Sequence, residues 1–498
     1  MKMYKIKEVK YSSSSVSIQI YVIENRKRRI VKHIGTAKTE DEKEKLIILA
    51  HDYIEKVSKQ FNLFEKSNDK IVNLSQIRYI EVYYSFFYEV VHKLLIHIGF
   101  DKHKSNFLLD LVVIRLFEPA SKLQSILLLE QYFGVKYRRQ NYYETAPQWP
   151  DLKEKTEKIA LNFAKKHYEF KYDLLFYDVT TLYFETFEED ELRKNGFSKD
   201  NKSSQPQILV ALMVTKEGFP IAYEIFSGNT FEGHTFLPVI KKFANKNKVK
   251  DFTVVADAAM ISDDNIKELI QNKLSYIVGA RLGNVTQQLF DKIDKMMIRT
   301  NGHTIRIPTN KGYLVCNFSS LRYRKDKYEM EKQIKKAELL VANPSKAKKV
   351  KFTKATGKDK FEINQDFIEK TRKLLGIKGY YTNLEESRVS NTLVIERYHE
   401  LFKIEQNFRI AKSDLQTRPI FHFKEDPIKL HLLICFIAIV VSRNVELSTG
   451  ASIRSFVKEC KKVTDARILN LITNEEIRMR TTYSPKINDF LDKLNLLT

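Results

Sequence analysis

The chain has 498 residues, 43% of them apolar, which is enough for a sizeable core and favours two to four domains over one. Lysine and arginine number 85 against 62 acids, a formal net charge of +23 that points to a polyanionic partner. The three cysteines, Cys316, Cys435 and Cys460, are odd in number and widely spaced, which argues against a disulfide framework or a cysteine metal site and fits a reduced cytoplasmic compartment.

Residues 1–15 hold no apolar stretch of signal-peptide length. Residues 4–37 alternate polar with Tyr, Val and Ile around a basic turn at 24–29 and predict a small hairpin, followed by a polar helix near 40–58. From 77 to 148 the pattern is helical, with a break at Glu118 and Pro119 and a basic, aromatic-laced cluster at 136–140. That cluster suits either DNA recognition or dimerisation.

From 172 the texture turns to strands. Residues 173–185 are rich in β-branched and aromatic side chains, and 208–215 and 220–226 flank a turn at Lys216, Glu217 and Gly218. A helix at 236–247, a strand at 252–257, a helix at 262–273 and a strand at 275–279 complete the order of three strands, helix, strand, helix, strand. Residues 284–388 interrupt this order with lysine-rich segments, including a charged helix at 322–335 and a solvated loop at 346–360. A helix is predicted at 390–413. The apolar run at 432–441 is about half a membrane span and reads as a buried helix, so no membrane partner is expected.

The helix at 390–413 carries the densest chemistry. At about 100° per residue, Tyr398, Glu405, Arg409 and Lys412 fall within roughly 60° of one another, beside an apolar stripe of Leu401, Ile404, Phe408, Ala411 and Leu415. An ordinary surface helix with an i,i+4 pair at Glu405 and Arg409 has the same pattern. Two upstream acids favour a site: Asp178 in the first strand of the sheet and Asp257 at the end of the fourth, its expected neighbour. Three convergent carboxylates suit two Mg²⁺ or Mn²⁺ ions, since hard cations take oxygen ligands and magnesium keeps positions open for phosphate. Such a pair of ions serves phosphodiester cleavage and transfer.

These residues resemble the DDE transposases of bacterial insertion sequences, in the branch with the signature Tyr, two residues, Arg, three, Glu, six, Lys. Tyr398, Glu405 and Lys412 match at that spacing, IEQNFR at 404–409 and KSDLQTRPI at 412–420 resemble the subgroup with long insertions, and Leu401 departs at the Arg position. YDVTTLYFE at 177–185, GNTFE at 228–232, VADAAM at 255–260 and EPASK at 118–122 are also similar. The resemblance implies an α/β, RNase H-like catalytic domain at 170–283 and 389–445 with a mainly β insertion at 284–388. The remainder would be an N-terminal hairpin and helix at 1–60, a helical DNA-binding or dimerisation region at 61–150, and a tail at 446–498. It further implies Asp178, Asp257 and Glu405 as catalytic metal ligands, with Tyr398, Arg409 and Lys412 as DNA-binding residues. The implied partners are the terminal inverted repeats, target double-stranded DNA and a second copy of the chain in a synaptic dimer. An RNase H-fold nuclease without strand transfer, or an inactive DNA-binding derivative, are the alternatives.

Overall fold

The computed structural model describes residues 4–11, 15–24, 26–58, 77–198, 202, 204–249, 251–260, 262–343, 350–357, 360–471 and 474–496. Asn25 of the basic turn and residues 346–349, 358 and 359 of the loop expected at 346–360 lie outside the described residues, and 353–357 of that expected loop form a strand instead. The chain forms two compact units: residues 1–87 with 131–134 and 460–485, and residues 88–130 with 135–459 and 486–498.

The N-terminal segment is a three-stranded antiparallel sheet of β1 (Tyr4–Lys10), β2 (Val16–Glu24) and β3 (Lys27–Ala37), one strand more than the expected hairpin. Ile18 and Ile20 of β2 face α1 (Glu40–Ser58), whose Ala50 and Leu46 close a small core. A strand, β4 (Ile77–Tyr83), then occupies the start of the stretch expected to be helical.

Five helices follow: α2 (Ser85–Ile98), α3 (Asn106–Phe117), α4 (Lys122–Phe133), α5 (Arg139–Thr145) and α6 (Trp149–His167). α3 begins where Ser105 Oγ accepts from the Leu108 amide at 3.3 Å and stops at Glu118, because Pro119 disfavours helical geometry in the residue before it.

The strand-rich centre runs β5 (Leu174–Tyr183), β6 (Gln207–Thr215), β7 (Pro220–Ser227), α7 (Glu232–Asn247), β8 (Thr253–Ala256), α8 (Asp263–Gln271) and β9 (Ser275–Ala280), the order read from the sequence. Gly218, at φ +85°, supplies the left-handed residue of the β6–β7 turn.

Residues 284–388 differ from the expected mainly β insertion. They contain α9 (Gln287–Met296), β10 (Thr304–Thr309), β11 (Gly312–Phe318), α10 (Ser320–Ala342), β12 (Thr353–Gly357), β13 (Lys360–Ile363), α11 (Gln365–Lys373) and β14 (Ile377–Thr382). β10, β11 and β14 extend the central sheet, whose eight strands run β10-β11-β14-β9-β8-β5-β6-β7. Only β5–β8 and β8–β9 are parallel. The reason is the open edge of β9: β14 pairs its backbone groups antiparallel to it, which satisfies donors and acceptors that would otherwise lie exposed.

The expected single helix at 390–413 is broken. α12 (Asn391–His399) ends at Glu400, α13 (Phe402–Arg409) restarts after Leu401, and a π turn covers Ile410–Asp414. α14 (Glu425–Thr449) is long and apolar enough to cross a membrane, but its apolar window is 94% buried, and it packs against α3, α6 and β7. α15 (Ile453–Cys460), β15 (Asp465–Asn470), β16 (Glu476–Arg480) and α16 (Pro485–Lys493) complete the chain. β15 pairs with both β16 and β4, so residues 446–498 are not a separate tail. Arg467 bridges Glu81 and Glu476, and Arg480 pairs with the buried Asp465 at 2.6 Å.

Candidate functional site

Asp178 and Asp257 are set by sheet register. Tyr177 of β5 lies opposite Ala256 of β8 in a parallel pair, so the next residues, Asp178 and Asp257, stand at one level on neighbouring strands. Alternation sends Tyr177 to the other face, where its hydroxyl meets Thr235 Oγ1 of α7 at 2.7 Å. Asp178 Oδ1 accepts from the Val179 amide and Asp257 Oδ1 from the Ala258 amide, each at 2.7 Å.

Tyr398 closes over this pair. Only 7% exposed, it donates from its hydroxyl to Asp257 Oδ1 at 3.1 Å and packs on the ring of Tyr380, centroids 4.8 Å apart. The fit requires glycine at 279, since a Cβ there would lie 2.5 Å from Tyr398 Oη. Burial raises the phenol pKa well above its ordinary value, and the charges of Asp257 and Asp178 add to the rise. The hydroxyl therefore remains a donor throughout the physiological range. Among the described residues Asp257 Oδ2 accepts no hydrogen bond, and Asp257 is an exposed residue, which leaves that oxygen open to a ligand.

Lys378 of β14 and Arg322 of α10 share a cleft of about 410 Å³ with Asp257 and Tyr398. Lys378 Nζ sits 4.6 Å from the centroid of the Tyr398 ring. Burial first, then Arg322, lowers the Lys378 pKa, while the negative charges of Asp257 and Glu405 oppose the fall. Lys378 thus feels two of the three expected acids. A second cleft of about 550 Å³, which shares Ala258 and Gly279 with the first, is lined by Arg281, Lys292 and Lys311.

The structure rearranges the expected stripe. Across the α12–α13 break the bonds run i→i+3, from Leu401 to Tyr398 and from Ile404 to Leu401, so the chain turns about 120° per residue there instead of about 100°. Tyr398 consequently belongs to α12 and packs inward, while Glu405 and Arg409 are exposed on α13. Leu401, at the departing signature position, is buried. α13 is held by Asn407, fully buried, whose Nδ2 donates to Gly218 O at 3.0 Å and Lys403 O at 2.8 Å. Arg409 and Arg454 direct their fields at Asp414, and Lys412 lies half-buried within the π turn. Glu400, the other acid near this break, is paired with Lys403 at 2.9 Å.

Two aspartates at one level, with an open oxygen on Asp257, suit a hard divalent cation. Glu405 does not join them closely: among the described residues no three His, Cys, Asp or Glu side chains cluster tightly enough to hold a metal. Arg322 and Lys378 escaped sequence reading because they lie in the lysine-rich stretch taken for an insertion. The signal in hindsight is one lysine inside the apolar strand at 377–382.

The model of the transposase DDE domain family matches residues 169–441, more than half of the chain and the whole of the site just described. The chain belongs to this family. No curated protein matches it. Among solved structures, the DDE chain is similar to a piggyBac transposase in a cryo-EM synaptic complex with hairpin DNA, at 11% identity and a TM-score of 0.35, covering 62% of this chain. The likeness spans 57% of that protein's chain.

Proposed function

We propose that this protein is a DDE transposase of the insertion-sequence branch with the Tyr, Arg, Glu, Lys signature. It binds the terminal inverted repeats of its element in the cytoplasm, at the nucleoid, cleaves the ends and joins them to target DNA. The observation that carries the reading is the level placement of Asp178 and Asp257 on parallel β5 and β8, under a tyrosine that fixes one of them. The catalytic fold is RNase H-like, and the functional assembly is a homodimer holding two ends in a synaptic complex.

In this reading Asp178 and Asp257 would hold a divalent cation of the Mg²⁺ or Mn²⁺ class, and Glu405, which stands apart from them here, would supply the third carboxylate of a two-ion arrangement. When bound, such ions lower the pKa of an attacking water or 3′-hydroxyl and stabilise the leaving oxygen. Tyr398 orients the Asp257 carboxylate by a hydrogen bond it keeps across the physiological pH range. Lys378 and Arg322 line the adjoining cleft with positive charge for the phosphates on either side of the scissile bond. Arg409 and Lys412 extend that charge along α13 and the π turn.

The test is incubation of the full chain with Mg²⁺ and a labelled duplex carrying one end of the element. Cleavage at a discrete position followed by joining to a second duplex supports transposition. Cleavage without joining reduces the protein to a nuclease, and binding without cleavage to a passive derivative.

A further inference from the structure

Two sequence blocks that the catalytic reading leaves unused, EPASK at 118–122 and the LQTRPI end of the 412–420 block, meet at one cavity of about 140 Å³ between the α3–α4 junction and the segment before α14. Its walls include Arg115, Ser121, Lys122, Arg418, His422 and His431, and among the described residues no carboxylate lines it.

Arg115 is only 7% exposed, yet its recorded partners are carbonyls: Ala120 O at 2.8 Å from Nη2 and Leu415 O at 3.5 Å from Nη1. Among the described residues no acid pairs with this buried guanidinium, and the charge it carries is one that an anion offsets. The N-terminus of the twelve-residue α4 opens on the same space through Ser121 and Lys122, adding the positive end of its dipole. The charge continues outward. Lys122 Nζ donates to Tyr143 Oη at 2.7 Å, Arg139 donates to the same oxygen at 3.2 Å, and these two cations pull the phenol pKa down to about 8. His422 and His431 add no charge near neutrality, since burial lowers their pKa values to about 2 and about 3.

We propose that this cavity is a phosphate-binding site that seats one backbone phosphate of the bound element end, with Arg115, Lys122 and Arg418 as its cations. The inference rests on the DNA-processing reading above. The site ties the helical layer to the chain leaving the π turn after Lys412, so an end anchored here is registered against the segment that carries Glu405.

The experiment uses the full chain and the element-end duplex. Binding is measured over a salt series for wild type, Lys122→Gln, Arg418→Gln and Lys122→Arg, with melting curves to establish folding. Loss of one phosphate contact should lower the slope of log K against log salt by about 0.9 and weaken binding several-fold, with Lys122→Arg restoring both. A scan of single methylphosphonate linkages should find one position whose neutralisation weakens wild type but not Lys122→Gln. Unchanged slopes in both glutamine variants, or no such position, overturn the proposal. Inorganic phosphate that raises the melting temperature of wild type but not of Lys122→Gln, with DNA slopes unchanged, would mark a free-anion pocket and overturn it as well. Wild type that fails to bind the duplex at all removes the functional reading itself, which separates the two failures.

Discussion

The Tyr398 hydroxyl donates to Asp257 Oδ1 at 3.1 Å. A residue of α12 therefore fixes a carboxylate at the end of β8, so Tyr398 acts on the protein's own acid rather than on an exposed face. Gly279, on β9, makes room for that approach.

This relationship predicts graded losses. Tyr398→Phe deletes one hydrogen bond to a partly exposed carboxylate, worth about 1 kcal/mol, and should slow cleavage several-fold with little change in melting temperature. Tyr398→Ala also removes the ring packed on Tyr380 and should destabilise the protein by about 3–5 kcal/mol. Gly279→Ala should displace the Tyr398 side chain and lower both stability and cleavage. In the double variant Gly279→Ala, Tyr398→Phe the closest contact, 2.5 Å from the new Cβ to Oη, is gone, and part of the stability should return. Strictly additive losses would show that the two residues do not interact as the geometry requires.

Asp178→Ala, Asp257→Ala and Glu405→Ala should each abolish metal-dependent cleavage while leaving duplex affinity nearly unchanged, because removing one oxygen ligand disrupts the ion site but no phosphate contact. Asn at either aspartate should behave alike, an amide being the weaker ligand. Glu405 is the decisive case. Wild-type cutting by Glu405→Ala would remove it from the chemistry and leave the two aspartates as the site.

Lys378 predicts a pH effect. Its folded pKa lies below the ordinary lysine value because burial and Arg322 disfavour its charge. Below the folded pKa the ammonium is present and costs stability. As pH rises from the folded toward the unfolded value that cost is relieved, so stability should increase across this alkaline window while the charge available to phosphate is lost. DNA affinity should therefore show an alkaline decline that Lys378→Arg moves to higher pH and Lys378→Gln abolishes, at weaker affinity throughout. The same decline in all three proteins would assign it to another group.

What the sequence disclosed follows from the range of the interactions involved. Asp178 and Asp257 were legible because β-branched runs and intervening helices announce adjacent parallel strands, and register then places both acids. The neighbourhood of Tyr398 was not, since it depends on a three-residue tightening at Leu401 that no proline or glycine marks. β14 was hidden by lysine-rich flanks, although it pairs with β9 only because that edge is open. The pairing of β4 with β15 joins residues 386 positions apart at Glu81 and Arg467, and no local pattern encodes such a partner.

The last prediction concerns end recognition, for which the sequence offers the basic N-terminal hairpin and helix at 1–60 and the helical DNA-binding or dimerisation region at 61–150. β4 finds its partner in β15, so a fragment ending at 150 would leave that strand unpaired, and the natural part to test is residues 1–58, whose sheet and α1 share their own core. β3 exposes Lys27, Arg28, Arg29 and Lys32 along one strand, with Arg28 over the Tyr21 ring and Lys32 over the Tyr53 ring, a basic surface suited to a DNA backbone or groove. Deleting residues 1–58 should collapse the preference for the element end over random duplex at near-physiological salt, while affinity for random duplex falls only by the lost phosphate contacts and Mg²⁺-dependent nicking persists. The comparison is a competition assay between the two duplexes for the full and shortened chains. An undiminished preference in the shortened chain would move recognition to the helices α2–α6, where the cluster at 136–139 continues the positive surface outside the Arg115 cavity.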